Sequence, residues 1–239
     1  MMRGVYDLLP TPSNLAKWFQ EESDLCRACK GYGTLQHILS ACPNGLAMYK
    51  WRHDQVLRVA GAVVEEAVRK ANKDQQRVMP TRITFVPAGA TFKPPPQIKN
   101  PHGHSLLSET QDWKCQVDLD RALQFPPEIA LTRLRPDVVI TSRAARVVIM
   151  GELTVPWEDN VQDAYERKKE KYEELRLQCT ERGWRAHCFP FEVSCRGFIA
   201  QSTIAFLRSL GIGGQYMRKA CKDLEEAAES GSAWIWWKR

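Results

Sequence analysis

The sequence predicts an α/β fold: a mixed sheet flanked by helices, preceded by a small metal-stapled segment and a long helix. Three observations carry this expectation. After residue 112, apolar β-branched runs and helical repeats follow in the order β, β, β, α, β, α, α. Residues 46–72 keep one apolar stripe at three-four spacing through Val56, Ala60, Val63, Val64, Ala67 and Ala71. Cys26, Cys29, His37 and Cys42 read C-x2-C-x7-H-x4-C, which is the spacing of metal ligands.

Composition narrows the class. The chain has 239 residues, 44% hydrophobic and 26% charged, which excludes an intrinsically disordered protein. No apolar run approaches the roughly 20 residues of a membrane span, so no membrane partner is expected. The stretch MMRGVYDLLPTPSNL lacks an apolar core followed by a small-residue cleavage site, and the expectation is an intracellular protein. In that setting eight cysteines point to metal or to burial rather than to disulfides. The net charge of +6 suits a nucleic-acid partner without requiring one.

Taken in order, residues 1–22 hold a short helix, with Thr11 or Ser13 as cap and Leu15 and Trp18 to pack. Three thiolates and an imidazole favour tetrahedral Zn²⁺, and four ligands close a structural site. Gly31 and Gly33 let the chain bend between the ligands. His53 is a candidate replacement ligand but falls in the long helix. Lys30, Lys50, Arg52 and Arg58 supply cations that a phosphate backbone attracts. RITFV (82–86) reads as a strand, and residues 87–112, with five prolines and two glycines, as a long loop carrying His102 and His104. The organisation is therefore a knuckle and helix over 1–78, a strand and Pro-rich linker over 79–112, and an α/β domain over 113–239.

Within that domain KCQVDL (114–119), PDVVIT (136–141) and RVVIMGELTV (146–155) are strands, the last two joined by a turn at Ser142–Ala145. Asp159 or Asn160 caps a helix that runs to about Arg182 and ends at Gly183. HCFPFEV (187–193) is the next strand, and helices over 198–210 and 215–229 flank GIGG. Cys115, Cys179, Cys188 and Cys195 lie in apolar patterns and read as small buried hydrophobes. The Trp-rich ending SGSAWIWWKR is expected to pack back on the core rather than stack on bases.

Two features break these patterns. Asp137 and Glu152 sit in apolar strands, where a carboxylate is costly unless it is paired or binds a cation. In a hairpin both face one side of the sheet, and two converging carboxylates suit a hard divalent ion such as Mg²⁺. In VQDAYERKKEKYEEL (161–175), Val161, Ala164, Tyr165, Tyr172 and Leu175 form one stripe, and Lys168 lies about 20° from Val161, in its middle. Lys171 flanks the stripe, and Lys169 points about 80° to its other side. Such a lysine either stabilises charge at a metal site or makes a buried salt bridge with no chemistry.

Pro136-Asp137, then fourteen residues, then Glu152-Leu153-Thr154 resembles the PD-(D/E)xK nuclease motif, whose last position is usually lysine. The departure at Thr154 is similar to the restriction-like endonuclease domains of site-specific non-LTR retrotransposons, where the next helix supplies the lysine. ELTVPWEDNVQDAYERKKEKYEEL (152–175), GTLQHILSACPNGL (33–46), WRHDQVL (51–57) and VSCRGFIAQST (193–203) resemble those domains, and the family places a CCHC zinc knuckle just before the nuclease. The resemblance implies a restriction-endonuclease-like sheet and a Mg²⁺- or Mn²⁺-dependent endonuclease that nicks target DNA to prime reverse transcription. It implies Asp137 and Glu152 as metal ligands with the Leu153 carbonyl as a third, Lys168 as the migrated lysine with Lys171 next, and Glu158 as an added acidic group. It implies a knuckle that binds DNA target or template RNA, and a nuclear location, with monomer or dimer left open. The chain carries none of the family's reverse-transcriptase motifs, so it is not expected to polymerise DNA; it looks like the C-terminal portion of such an element. The alternative is a catalytically silent nucleic-acid-binding remnant or domesticated module.

Overall fold

A computed structural model describes residues 8–19, 23–74, 105–119 and 122–238. The strand expected at RITFV, most of the Pro-rich linker, His102 and His104 lie outside the described residues. Four strands, β1 (Lys114–Val117), β2 (Val138–Ser142), β3 (Val147–Thr154) and β4 (Arg185–Glu192), form one sheet in the order β1-β2-β3-β4. β1–β2 and β2–β3 pair antiparallel and β3–β4 pairs parallel, so the sheet is mixed. The parallel pair needs a crossover, and α3 (Val161–Glu181) supplies it. The remaining helices are α1 (Pro12–Phe19), α2 (Leu46–Asp74), α4 (Gln201–Ser209) and α5 (Gly214–Trp237).

Side chains alternate across a strand, and the two sheet faces sort accordingly. Val138, Ile140, Ile149, Leu153 and Phe191 pack with Val56, Leu57, Ala60 and Val64 of α2, Phe206 and Leu207 of α4, and Leu224 of α5. On the other face Val139, Val148 and Met150 meet Tyr172, Leu175 and Cys179 of α3. A third cluster joins Leu35, Ile38 and Leu39 of the Cys/His segment to Trp157, Cys195 and Ile235. The Cys/His segment and α2 therefore share packed interior with the sheet and α5. Among the described residues no helix is long and apolar enough to cross a membrane.

Several local details differ from the sequence reading. Asn160 occupies the cap position of α3, but its side chain makes no capping bond. Part of the expected loop forms a 3-10 turn, Leu106–Glu109, capped by Ser105. Trp18 is exposed rather than packed. α5 continues through Gly231 and Ser232, which the composition marks as a break. Gly231 is there for close approach: a Cβ would stand 2.6 Å from Arg52 Cγ. The extended helix buries Ile235 and sets Trp234 against Trp51 at 4.3 Å between ring centroids, while Trp237 stays exposed.

Candidate metal centre and acidic site

The β2–β3 register places Val138 opposite Gly151, so Asp137 and Glu152 meet one step further on. Each carboxylate accepts from the other strand's backbone. The Leu153 amide donates to Asp137 Oδ2 at 2.7 Å, and the Asp137 amide to Glu152 Oε2 at 3.3 Å. Glu152 is only 3% exposed, so its charge has to be compensated inside the protein. Lys168 supplies that compensation, with Nζ 2.5 Å from Glu152 Oε1, and Lys171 Nζ lies 3.5 Å from the same oxygen. Lys169 is exposed and reaches instead over the Tyr165 ring.

Two further groups fix Asp137. Tyr172 OH donates to the Arg135 carbonyl at 3.0 Å and ties the approach to β2 down onto α3. Burial, with the nearby Glu152 and Asp137 charges adding to it, pushes the Tyr172 phenol far above its ordinary range, so it remains a neutral donor. His53 of α2 reaches Asp137 Oδ2 with Nε2 at 3.4 Å, while its Nδ1 stands 3.1 Å from Asp54 Oδ1. Burial opposes a charge on this imidazole, but the carboxylates of Asp137 and Asp54 outweigh it and raise its pKa to about 9.

Beyond Glu152 on the same face, Thr154 pairs in register with Glu192. Glu192 is fully buried; burial raises its pKa, against the opposing effects of the Ser202 hydroxyl and the Lys168 charge. Glu192 Oε1 and Thr154 Oγ1 are buried without a hydrogen-bond partner among the described residues. Orphaned polar atoms beside two carboxylates fit a site completed by water or a hydrated cation.

The Cys/His segment forms a tighter group. The ligand atoms of Cys26, Cys29, His37 and Cys42 lie within 4.8 Å of one another, and no other trio of His, Cys, Asp or Glu among the described residues is gathered so closely. Cys26 Sγ and Cys42 Sγ are 4.0 Å apart, near the about 3.8 Å that two thiolates span around tetrahedral zinc. Cys29 Sγ stands 3.1 Å from His37 Nε2. Burial works against a thiolate at Cys26, but the amides of Cys29 and Ala28 outweigh it and bring the thiol down to about 6. Lys30 takes a left-handed conformation at φ 63°, which closes the turn after Cys29, and Gly31 leaves room for the His37 ring, 3.1 Å from where a Cβ would be. The four side chains can hold a metal ion, and three sulfurs with one imidazole are a zinc donor set.

Neither a protein-family model nor a curated protein matches this chain. The geometry brings together Asp137, Glu152, Lys168 and Lys171, and separately Cys26, Cys29, His37 and Cys42. Leu153 contributes its amide to the acidic site. Glu158 stands apart, its carboxylate taken by Arg196 at 2.7 Å and Ser194 at 2.6 Å. Arg52 is fully buried and bonded to protein acceptors, so it is no phosphate contact. Sequence reasoning missed His53 and Glu192 as members of the acidic site and read Tyr172 only as an apolar residue. A signal for His53 was present: Val56, Ala60 and Val64 follow it at three, seven and eleven residues, on one helix face.

Proposed function

We propose that this chain is a metal-dependent DNA endonuclease of the restriction-endonuclease-like kind, stapled by a zinc knuckle. In this reading it nicks target DNA to prime reverse transcription, as a portion that lacks the polymerase. The observation that carries it is the Lys168 ammonium, 2.5 Å from Glu152, on the rung where Glu152 meets Asp137. Asp137 and Glu152 would hold Mg²⁺ or Mn²⁺, with the Leu153 carbonyl as a further donor. When bound, the cation supplies Lewis acidity at the scissile phosphate. Lys168, one-fifth exposed, faces both the acids and solvent, so its charge can stabilise the transition state and orient water. Lys171, more exposed, supports it. Tyr172 keeps Asp137 in place through the Arg135 carbonyl.

A second reading has its own observation. Both acids are engaged internally, by Lys168, Lys171, His53 and two backbone amides, as in a closed ion-pair network of a silent nucleic-acid-binding module. A supercoiled-plasmid nicking assay with Mg²⁺ or Mn²⁺ separates the two. Asp137→Ala and Lys168→Ala are expected to slow nicking by about 100-fold or more, the scale of losing a group that stabilises transition-state charge. Equal nicking by wild type and Asp137→Ala would sink the enzymatic reading.

A further inference from the structure

His53 comes from α2, ahead of the sheet, yet its ring lies between two carboxylates. Nε2 faces Asp137 Oδ2 at 3.4 Å and Nδ1 faces Asp54 Oδ1 at 3.1 Å. Neighbouring donors around an ion with bonds of about 2.1 Å stand about 3 Å apart, so the imidazole nitrogen and the Asp137 oxygen are within a few tenths of an ångström of sharing one ion. The other side of the ring matches as well. A metal-bound histidine gives its second N–H to a carboxylate, which sets the tautomer and aims the lone pair; Asp54 occupies that position. Glu152 lies across the rung as the next donor.

We propose that the acidic site takes a first-row transition ion in preference to Mg²⁺, with His53 Nε2 as a ligand beside Asp137 and Glu152, and Asp54 as the positioning carboxylate behind the ring. This rests on the reading of Asp137 and Glu152 as a metal site and adds a nitrogen donor to it. Imidazole is a poor partner for Mg²⁺ and a good one for softer divalent ions, so the added donor shifts selectivity. It also makes α2 part of the active centre.

The test is Mn²⁺ binding to the zinc-loaded full chain, followed by electron paramagnetic resonance, with pulsed spectra reading nitrogen coupling to the bound ion. Wild type is expected to bind Mn²⁺ with an imidazole nitrogen signal and at least about tenfold more tightly than Mg²⁺. His53→Gln is expected to lose the nitrogen signal and to narrow the Mn²⁺ advantage. Asp54→Asn is expected to weaken Mn²⁺ by about tenfold while keeping the signal, the usual scale for an outer carboxylate. Mn²⁺ that requires Asp137 but shows no nitrogen coupling overturns the histidine ligand and leaves the nuclease reading standing. Mn²⁺ bound equally by Asp137→Ala overturns both. Should His53→Gln fail to fold, the wild-type spectrum alone decides.

Discussion

Replacing Arg52 by methionine should destabilise the protein by about 3 kcal/mol, a magnitude that follows from what the guanidinium holds. Arg52 is 1% exposed and faces no carboxylate in any ion pair among the described residues. Its Nη1 donates to the Leu39 carbonyl and to Ser232 Oγ, both at 2.9 Å, and its Nη2 to the Val155 carbonyl at 3.2 Å. One side chain thus ties the Cys/His segment, the end of β3 and α5 together. Methionine keeps much of the volume and removes all three donors. Ser232 retains the Cys195 carbonyl, which leaves two carbonyls to lose a donor. An unsatisfied buried group costs about 1–3 kcal/mol, so the gross loss is about 2–6 kcal/mol. Against it stands the relief of removing a buried cation: burial presses the Arg52 pKa below its ordinary value, which marks a real desolvation cost. The net, about 3 kcal/mol, corresponds to a fall in unfolding temperature of about 6–12 °C for a chain of this size. Calorimetry on zinc-saturated protein measures it. A variant as stable as wild type would refute the claim that these acceptors depend on Arg52.

Two further outcomes are expected. Purified protein should carry about one equivalent of zinc, and chelation should lower its unfolding temperature, because a structural zinc contributes folding free energy; less than about half an equivalent would count against the knuckle. Asp112 binds the β2–β3 turn by accepting from Ser142 Oγ at 2.5 Å and the Ala144 amide at 2.9 Å. Desolvation opposes its charge, but these bonds prevail and bring the carboxyl from 3.8 to about 2. A depressed carboxyl stabilises the fold above its unfolded pKa and loses that contribution as pH falls through the folded one. The stability difference between wild type and Asp112→Asn should therefore shrink between about pH 4 and pH 2, and a difference unchanged at pH 2 in urea titrations would contradict the assignment.

What the sequence revealed follows from the range of the physics involved. The strand order, the crossover helix and the zinc ligands are set by local periods and spacings, and the observed β1–β4, α3 and Cys/His group follow them. The ends of elements followed less well. α5 runs through Gly231 because Arg52, 179 residues earlier, needs the room that a Cβ would take, and no local propensity carries that fact. Arg52 itself read as a solvated cation, since nothing beside it in sequence announces that Leu39, Val155 and Ser232 will enclose it.

Lys168 and His53 show where the same reasoning succeeded and where it stopped. Lys168 stood out because a long charged side chain on an apolar stripe contradicts the pattern and asks for a partner, which Glu152 provides. His53 stands on an equally clear stripe, with Ala60 and Val64 within about 20° of it around α2. It raised no alarm, because a histidine on an inward face is ordinary, and because the Cys/His spacing two turns earlier offered a more familiar metal site for it to join. Only the packing of α2 against the sheet shows which metal site it faces. The general consequence is that a titratable residue on an apolar helix face is a statement about the surface that face covers. For α3 that surface is the Glu152 side of the sheet, and for α2 it is the opposite side, which brings His53 to Asp137 at the end of β2. Helices packed on the two faces of one sheet thus deliver a lysine and an imidazole to the same pair of acids, an arrangement that neither helix encodes alone.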